Sequence, residues 1–281
     1  MKIKTIILLM VLPVFVQAAD QGDDVIIFTA PPRGTLSVEN ETYQPIADYL
    51  SRVLQKKVIY RQPLSWMHYQ KEMVENKYHI VFDGPHFVSW RMNHTNHIPL
   101  VKLPQPLVWV IIARKDDTRT NALKDLEGRG FCGHPSPNLG TLTVRSLMNT
   151  ATREPRLVVR KGWHTIYKGV VNEKACVAGA LPKTNLYLYD PELKHTKIIY
   201  EHQPYPNQAI TISNKFDTEL RDKVRASLLS KEGQNSMAKL RKRYTKGDTL
   251  VKANKDEYRY VTNVLNEVYG YGYNFVDKDL K

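Results

Sequence analysis

The 281-residue sequence holds only two cysteines, and after its first residues it has no further long apolar run. A disulfide-dense scaffold is thereby excluded, and with a mean hydropathy of −0.43 so is a polytopic membrane protein. Catalytic signatures are missing too. There is no Gly-x-Ser-x-Gly elbow, no His-Glu-x-x-His pair and no phosphate-binding Walker loop. Internal repeats and low-complexity tracts are also lacking. Acidic residues are in deficit, 28 against 41 Lys plus Arg, which leaves a formal charge of +13. That excess admits an anionic ligand, a membrane surface or nucleic acid as partner. The basic residues are spread along the chain rather than gathered in one arm, which counts against nucleic acid.

What is present is an ordinary folded composition, 42% hydrophobic and 25% charged, long enough for one large or two medium domains. Lys2 and Lys4, the apolar stretch from Ile6 to Val16 and the small residues of Val16-Gln17-Ala18 read as a secretory signal peptide over residues 1–18. The apolar stretch is shorter than the roughly 20 residues that span a bilayer. No cysteine follows for a lipid anchor. Its removal takes two lysines and no acid, so a 263-residue mature chain of charge +11 is expected in the periplasm. In an oxidising compartment Cys132 and Cys176 are candidates for a disulfide, provided their strands are neighbours in one sheet; two buried thiols are the alternative.

Apolar runs bounded by turn residues alternate with segments of helical periodicity. Val25 to Phe28, Lys57 to Tyr60 and Tyr78 to Phe82 read as strands, with helices over residues 43–54 and Trp66 to Glu75 between them. Leu107 to Ala113 is a long strand that could cross between lobes. Beyond it the theme repeats: strand at Phe131, helix from Thr141 to Asn149, strand from Arg156, helix from His164 to Asn172, strand from Cys176. Helices carrying Leu220 to Leu229 and Tyr258 to Val268 close the chain. This order predicts an α/β protein with largely parallel sheets in two lobes: residues 24–112 plus 205–281, and residues 113–204.

In open α/β sheets ligands gather beyond the carboxyl ends of strands, where loops and helix N-termini present free amides. Four loops qualify: Thr29 to Thr35, Asp83 to Phe87, His134 to Thr141, and Lys161 to His164. They supply a first-lobe face of Thr29, Asp83 and His86 and a second-lobe face of Ser136, Asn138, Thr141 and His164. Ser136, Asn138 and Thr141 are also ordinary helix-capping residues. Trp66 and Trp163 are candidate cleft walls. His94 and His97 have metal-like spacing, and the tyrosines of residues 269–273 are expected to pack on the first lobe.

The stretch Phe131 to Gly140, Gly162-Trp163-His164 some twenty residues later, Gly84-Pro85 ending an upstream strand and the start at Tyr43-Gln44-Pro45 together resemble the phosphonate/phosphite/phosphate-type periplasmic solute-binding proteins of ABC transporters. The resemblance runs through nearly the whole mature chain. It implies a type 2 periplasmic-binding fold with two hinge crossings, a small oxyanion as ligand and a membrane permease as partner; a monomer without cofactor is expected, and the missing catalytic signatures count against an enzyme. It places Tyr43 near the ligand, Asp83 at the cleft and His164 on the ligand. The family's second-lobe loop usually reads Asp-Pro, a variable residue, Ser-Thr-Ser, Gly; this chain has His134-Pro135-Ser136-Pro137-Asn138-Leu139-Gly140, without the hydroxyl triplet. Each lost hydroxyl removes a hydrogen bond to a charged head, worth about 1.5–3 kcal/mol. An organic anion therefore stays open as ligand, as does a metal or metalloid held by His86, His134 and His164, and so does a role as accessory protein to a sensor kinase. A Cys132/His164 nucleophile pair is ruled out if the cysteines are bonded.

Overall fold

The computed structural model describes residues 25–148, 151–266, 268, 270 and 271. The expected signal peptide, and Tyr269, Gly272 and Tyr273 of the tail, lie outside these. No helix among the described residues is long and apolar enough to cross a membrane.

Ile26–Thr29 (β1) enters Leu36–Leu54 (α1), then Val58–Tyr60 (β2), Trp66–Val74 (α2), Ile80–Asp83 (β3), Pro85–His94 (α3) and Ile98–Lys102 (β4). Next come Trp109–Arg114 (β5), Gly130–Gly133 (β6), Leu139–Met148 (α4), Arg156–Val159 (β7), Trp163–Val171 (α5), Ala178–Pro182 (β8), Lys183–Tyr189 (α6) and Thr196–Glu201 (β9). The chain ends through Ala209–Ile212 (β10), Thr218–Leu229 (α7), Lys231–Ser236 (α8), Ala238–Thr245 (α9), Val251–Lys252 (β11) and the tight turns Lys255–Tyr258 and Val261–Leu265. The amphipathic helix expected over 258–268 is these two short 3₁₀ turns.

Two sheets result, ordered β11-β4-β10-β3-β1-β2 and β7-β6-β8-β5-β9. Each has a parallel half, β2-β1-β3 and β7-β6-β8, extended by antiparallel strands. The sheets are thus mixed rather than largely parallel. β5 pairs on both sides within the second sheet, so the boundary expected at residue 112 falls inside a strand of that sheet.

α1 shows how packing overrides local signals. Its buried stripe, Tyr43, Ile46, Ala47, Leu50 and Leu54, lies on the first sheet's core with Phe28, Ile80 and Phe82. The helix begins two turns earlier than its apolar period, with Pro45 inside it. Proline deletes one ladder hydrogen bond, and side-chain contacts are also made in the first turns. Thr42 Oγ1 donates to the Val38 carbonyl at 2.7 Å, and Glu39 receives Arg243 from α9 at 3.1 Å. α3 hides for another reason: every residue from Pro85 to Arg91 is buried, so it has no polar face and no amphipathic period.

Cys132 on β6 and Cys176 just before β8 form a disulfide with a Cα separation of 5.6 Å. The neighbouring register of β6 and β8 permits it, Cys132 lying opposite Gly179. The bond is buried in a cluster with Ile166 and Val170.

Candidate functional site

The loop leaving β3 and the loop entering α4 meet. Gly84 caps α3 and Pro85 takes its first position, which turns the chain so that His86 points out of the first lobe. There His86 Nε2 lies 3.0 Å from the carbonyl oxygen of Pro137. Below this contact one apolar cluster runs across both halves: Leu142 of α4 packs with Tyr69, Phe87 and Trp90 and with Leu265 and Tyr271 of the C-terminal segment. Trp90 Nε1 donates to the Tyr271 carbonyl at 3.0 Å.

The entrance to α4 is self-contained. Asn138 Oδ1 accepts from the backbone N–H of Gly140 at 3.0 Å and of Thr141 at 3.4 Å, and Thr141 Oγ1 donates to the His134 carbonyl at 2.6 Å. Gly140 lies against Trp109, so closely that a Cβ would fall 2.3 Å from its ring. Trp109 meets Trp163 edge-on at 5.4 Å, and Trp163 meets His134 at 4.4 Å. Ser136 is exposed.

On the first lobe the expected face divides. Thr29 is fully buried and donates to the Arg61 carbonyl at 2.6 Å. Tyr43 is fully buried, its hydroxyl 3.4 Å from that of Tyr244. Asp83 turns away from the cleft. Its carboxylate takes Arg91 Nε at 2.7 Å and the Tyr69 hydroxyl, both partners fully buried. His164 is exposed at the start of α5, its ring 5.0 Å from that of Tyr189. Of the eight expected residues, His86, Asn138 and Thr141 stand where the two loops meet.

Arg33 is the residue that sequence reasoning passed over. It follows Pro31-Pro32 in the first candidate loop and is the one charge there. Its Nη2 and the imidazole of His86 lie within 4 Å of a single point, the place a Cβ would take on Gly84. Its Nη1 is sealed from solvent without a hydrogen-bond partner, and so is His86 Nδ1. Burial disfavours the guanidinium charge, but Tyr244, Tyr43 and Asp83 more than offset it and the pKa rises. Tyr60 and Trp109 likewise keep a buried polar atom unpartnered. Tyr244, from α9, packs its ring 5.3 Å from Phe82 and gave no sequence signal.

Burial pushes the His86 pKa down to about 3; the Pro137 hydrogen bond opposes this and the charge of Arg33 adds to it. The unfolded chain then takes up a proton near pH 6.5 that the folded chain refuses. This stability is complete above pH 6.5 and declines as pH falls toward 3, at most about 2 kcal/mol by pH 5. Melting temperatures followed from pH 7 to pH 5 should therefore fall less steeply in His86→Phe than in the natural chain. His97 and His134, also lowered chiefly by burial, add slope of the same sign. An unchanged slope would mean that His86 is not sealed.

The His94 and His97 pair is committed to other partners: His94 Nδ1 to the Trp90 carbonyl at 2.9 Å, His97 to Thr211 at 3.1 Å and Asn76 at 3.3 Å. Among the described residues no group of three His, Cys, Asp or Glu side chains could hold a metal ion.

The model of the family described as "ABC transporter, phosphonate, periplasmic substrate-binding protein" matches residues 28–258. A search of curated proteins found no relative. Among solved structures, PhnD1 from Prochlorococcus marinus in complex with methylphosphonate is 15% identical, with a TM-score of 0.63 over 86% of this chain and 97% of that one. A Xanthomonas citri protein bound to ATP is 10% identical, with a TM-score of 0.66 over 86% and 95%. A binding-protein component of an ABC phosphonate transporter from Pseudomonas aeruginosa is 16% identical, with a TM-score of 0.58 over 83% of each chain. These likenesses establish the two-lobed type 2 periplasmic-binding fold.

Proposed function

Because the chain belongs to the periplasmic substrate-binding proteins of phosphonate ABC transporters, we propose that it carries a small phosphonate-type oxyanion in the cleft where the β3–α3 and β6–α4 loops meet. The observation that supports this reading is the buried, unpartnered Nη1 of Arg33 beside the contact between His86 and Pro137. A guanidinium recognises tetrahedral oxyanions through paired N–H donors, and a site closed from water strengthens the attraction. His86, Asn138 and Thr141 line the same place, whereas Thr29, Tyr43 and Asp83 support it from behind and Ser136 and His164 lie at its margin.

The family is a class of transporter components rather than of enzymes, and it implies a permease partner and a periplasmic location. We extend this to a monomer exported by a signal peptide cut after residue 18, with lobes dividing between β4 and β5 and again between β9 and β10. Closure follows if both lobes gain ligand contacts only in the shut form. A sensor kinase as partner would be distinguished by recovery of that protein, rather than a permease, from membranes.

The test is thermal denaturation of the mature protein with methylphosphonate, phosphate, phosphite, sulfate and arsenate. At least one phosphorus oxyanion should raise the melting temperature by mass action. Arg33→Leu should weaken its binding by about 10–100-fold, the worth of a hydrogen bond to a charged group. If none of the five anions shifts the transition, the reading fails.

A further inference from the structure

His86 presents its two ring nitrogens to different worlds. The Pro137 oxygen is a carbonyl and can only accept, so Nε2 carries the ring proton. The ring is neutral, since burial lowers its pKa to about 3. In that tautomer Nδ1 is a bare lone pair, buried and without a donor. Beside the same Gly84 stands Arg33 Nη2, and the other terminal nitrogen of that guanidinium, Nη1, is a buried donor without an acceptor. The neighbouring groups have partners of their own: Asp83 holds Arg91 and Tyr69, Glu39 pairs with Arg243, Tyr43 and Tyr244 lie beside Arg33 with Tyr244 hydrogen-bonded to it, and the α4 loop contributes the Pro137 carbonyl.

A fully deprotonated oxyanion satisfies Arg33 but turns its own lone pairs on Nδ1. A singly protonated one satisfies both, accepting from the guanidinium and donating its O–H to the imidazole. Resting on the oxyanion reading above, we infer that His86 is a specificity-determining residue that selects the O–H-bearing form of the ligand, a hydrogen phosphonate or hydrogen phosphate, over aprotic oxyanions such as sulfates and sulfonates. The selection follows from the cost of facing a buried acceptor with another acceptor.

Methylphosphonate and methanesulfonate test this cleanly. Below the second ionisation of the phosphonate both are monoanions with one methyl group and a tetrahedral head, and they differ by a single O–H. Calorimetric titration should show methylphosphonate bound about 10–100-fold more tightly. The preference should vanish in His86→Phe, which keeps a flat ring and loses the acceptor: methylphosphonate loses the partner of its O–H, and methanesulfonate is relieved of the facing lone pair and binds more tightly. In the natural chain, methylphosphonate affinity should fall as pH rises through its second ionisation while methanesulfonate affinity stays level; this measurement holds even if the variant misfolds. Equal affinities, a preference surviving in His86→Phe, or parallel pH profiles would overturn the inference and leave the oxyanion reading standing. Binding of neither anion, nor of phosphate, would overturn both.

Discussion

Asp83→Ala is expected to destabilise the protein by about 3–5 kcal/mol, the usual cost of leaving one partner of a buried ion pair behind. Asp83 and Arg91 have no solvent-exposed side-chain surface, and Nε to Oδ2 is 2.7 Å. Arg91 Nη2 also donates to the Tyr69 hydroxyl at 3.0 Å, and the guanidinium lies 5.6 Å from the Tyr69 ring and 5.5 Å from that of Tyr78. Without the carboxylate this charge stays buried among aromatic rings, and its Nη1 already has no partner. The double variant Asp83→Leu, Arg91→Met, which replaces the pair by apolar bulk, should recover most of the loss. Urea unfolding of the three proteins decides it. A single-variant cost under about 1 kcal/mol would mean that water reaches the pair. Asp83 leads directly into Gly84, Pro85 and His86, so the same change should loosen that turn.

Loss of the Cys132–Cys176 bond is the second large effect. The bond closes a loop of 44 residues in sequence separation. Chain entropy alone gives such a loop about 4 kcal/mol of stabilisation, at the upper end of the usual 2–4. Packing adds to it, since Cys132 Sγ lies 2.7 Å from where a Cβ on Gly169 would stand. The Cys132→Ala, Cys176→Ala protein should unfold at clearly lower denaturant, with the change carried by the second lobe. Because both sulfurs are buried, reductant should reach the bond only as fast as that lobe opens. Rapid reduction under native conditions, with no loss of stability, would contradict this.

Legibility in the sequence followed exposure. β1, β3, β6 and β8 announced themselves as apolar runs ending in turn residues. α2 showed in its apolar residues, and the structure adds its cap, Ser65 accepting from His68 N–H. α3 gave neither period nor polar face because it is buried throughout. The first turns of α1 were obscured by Pro45, which the helix accommodates in its interior. At the site, the two turns that touch were both readable, as was the missing hydroxyl triplet. The partnership of Asp83 was not, because Arg91 sits on a helix that the pattern did not reveal. Arg33 and Tyr244 come from opposite ends of the chain, and only the folded sheet brings them together.

The C-terminal segment has one more consequence. Leu265 packs with α3 and α4 residues in one cluster, and Val264 lies against the second sheet's core. The halves are therefore tied by three stretches of polypeptide, the pair of crossings that flank β5 and β9 and this tail. A third tether on one flank limits how far the halves can part there, so on the solute-carrying reading proposed above a guest would enter and leave from the opposite side.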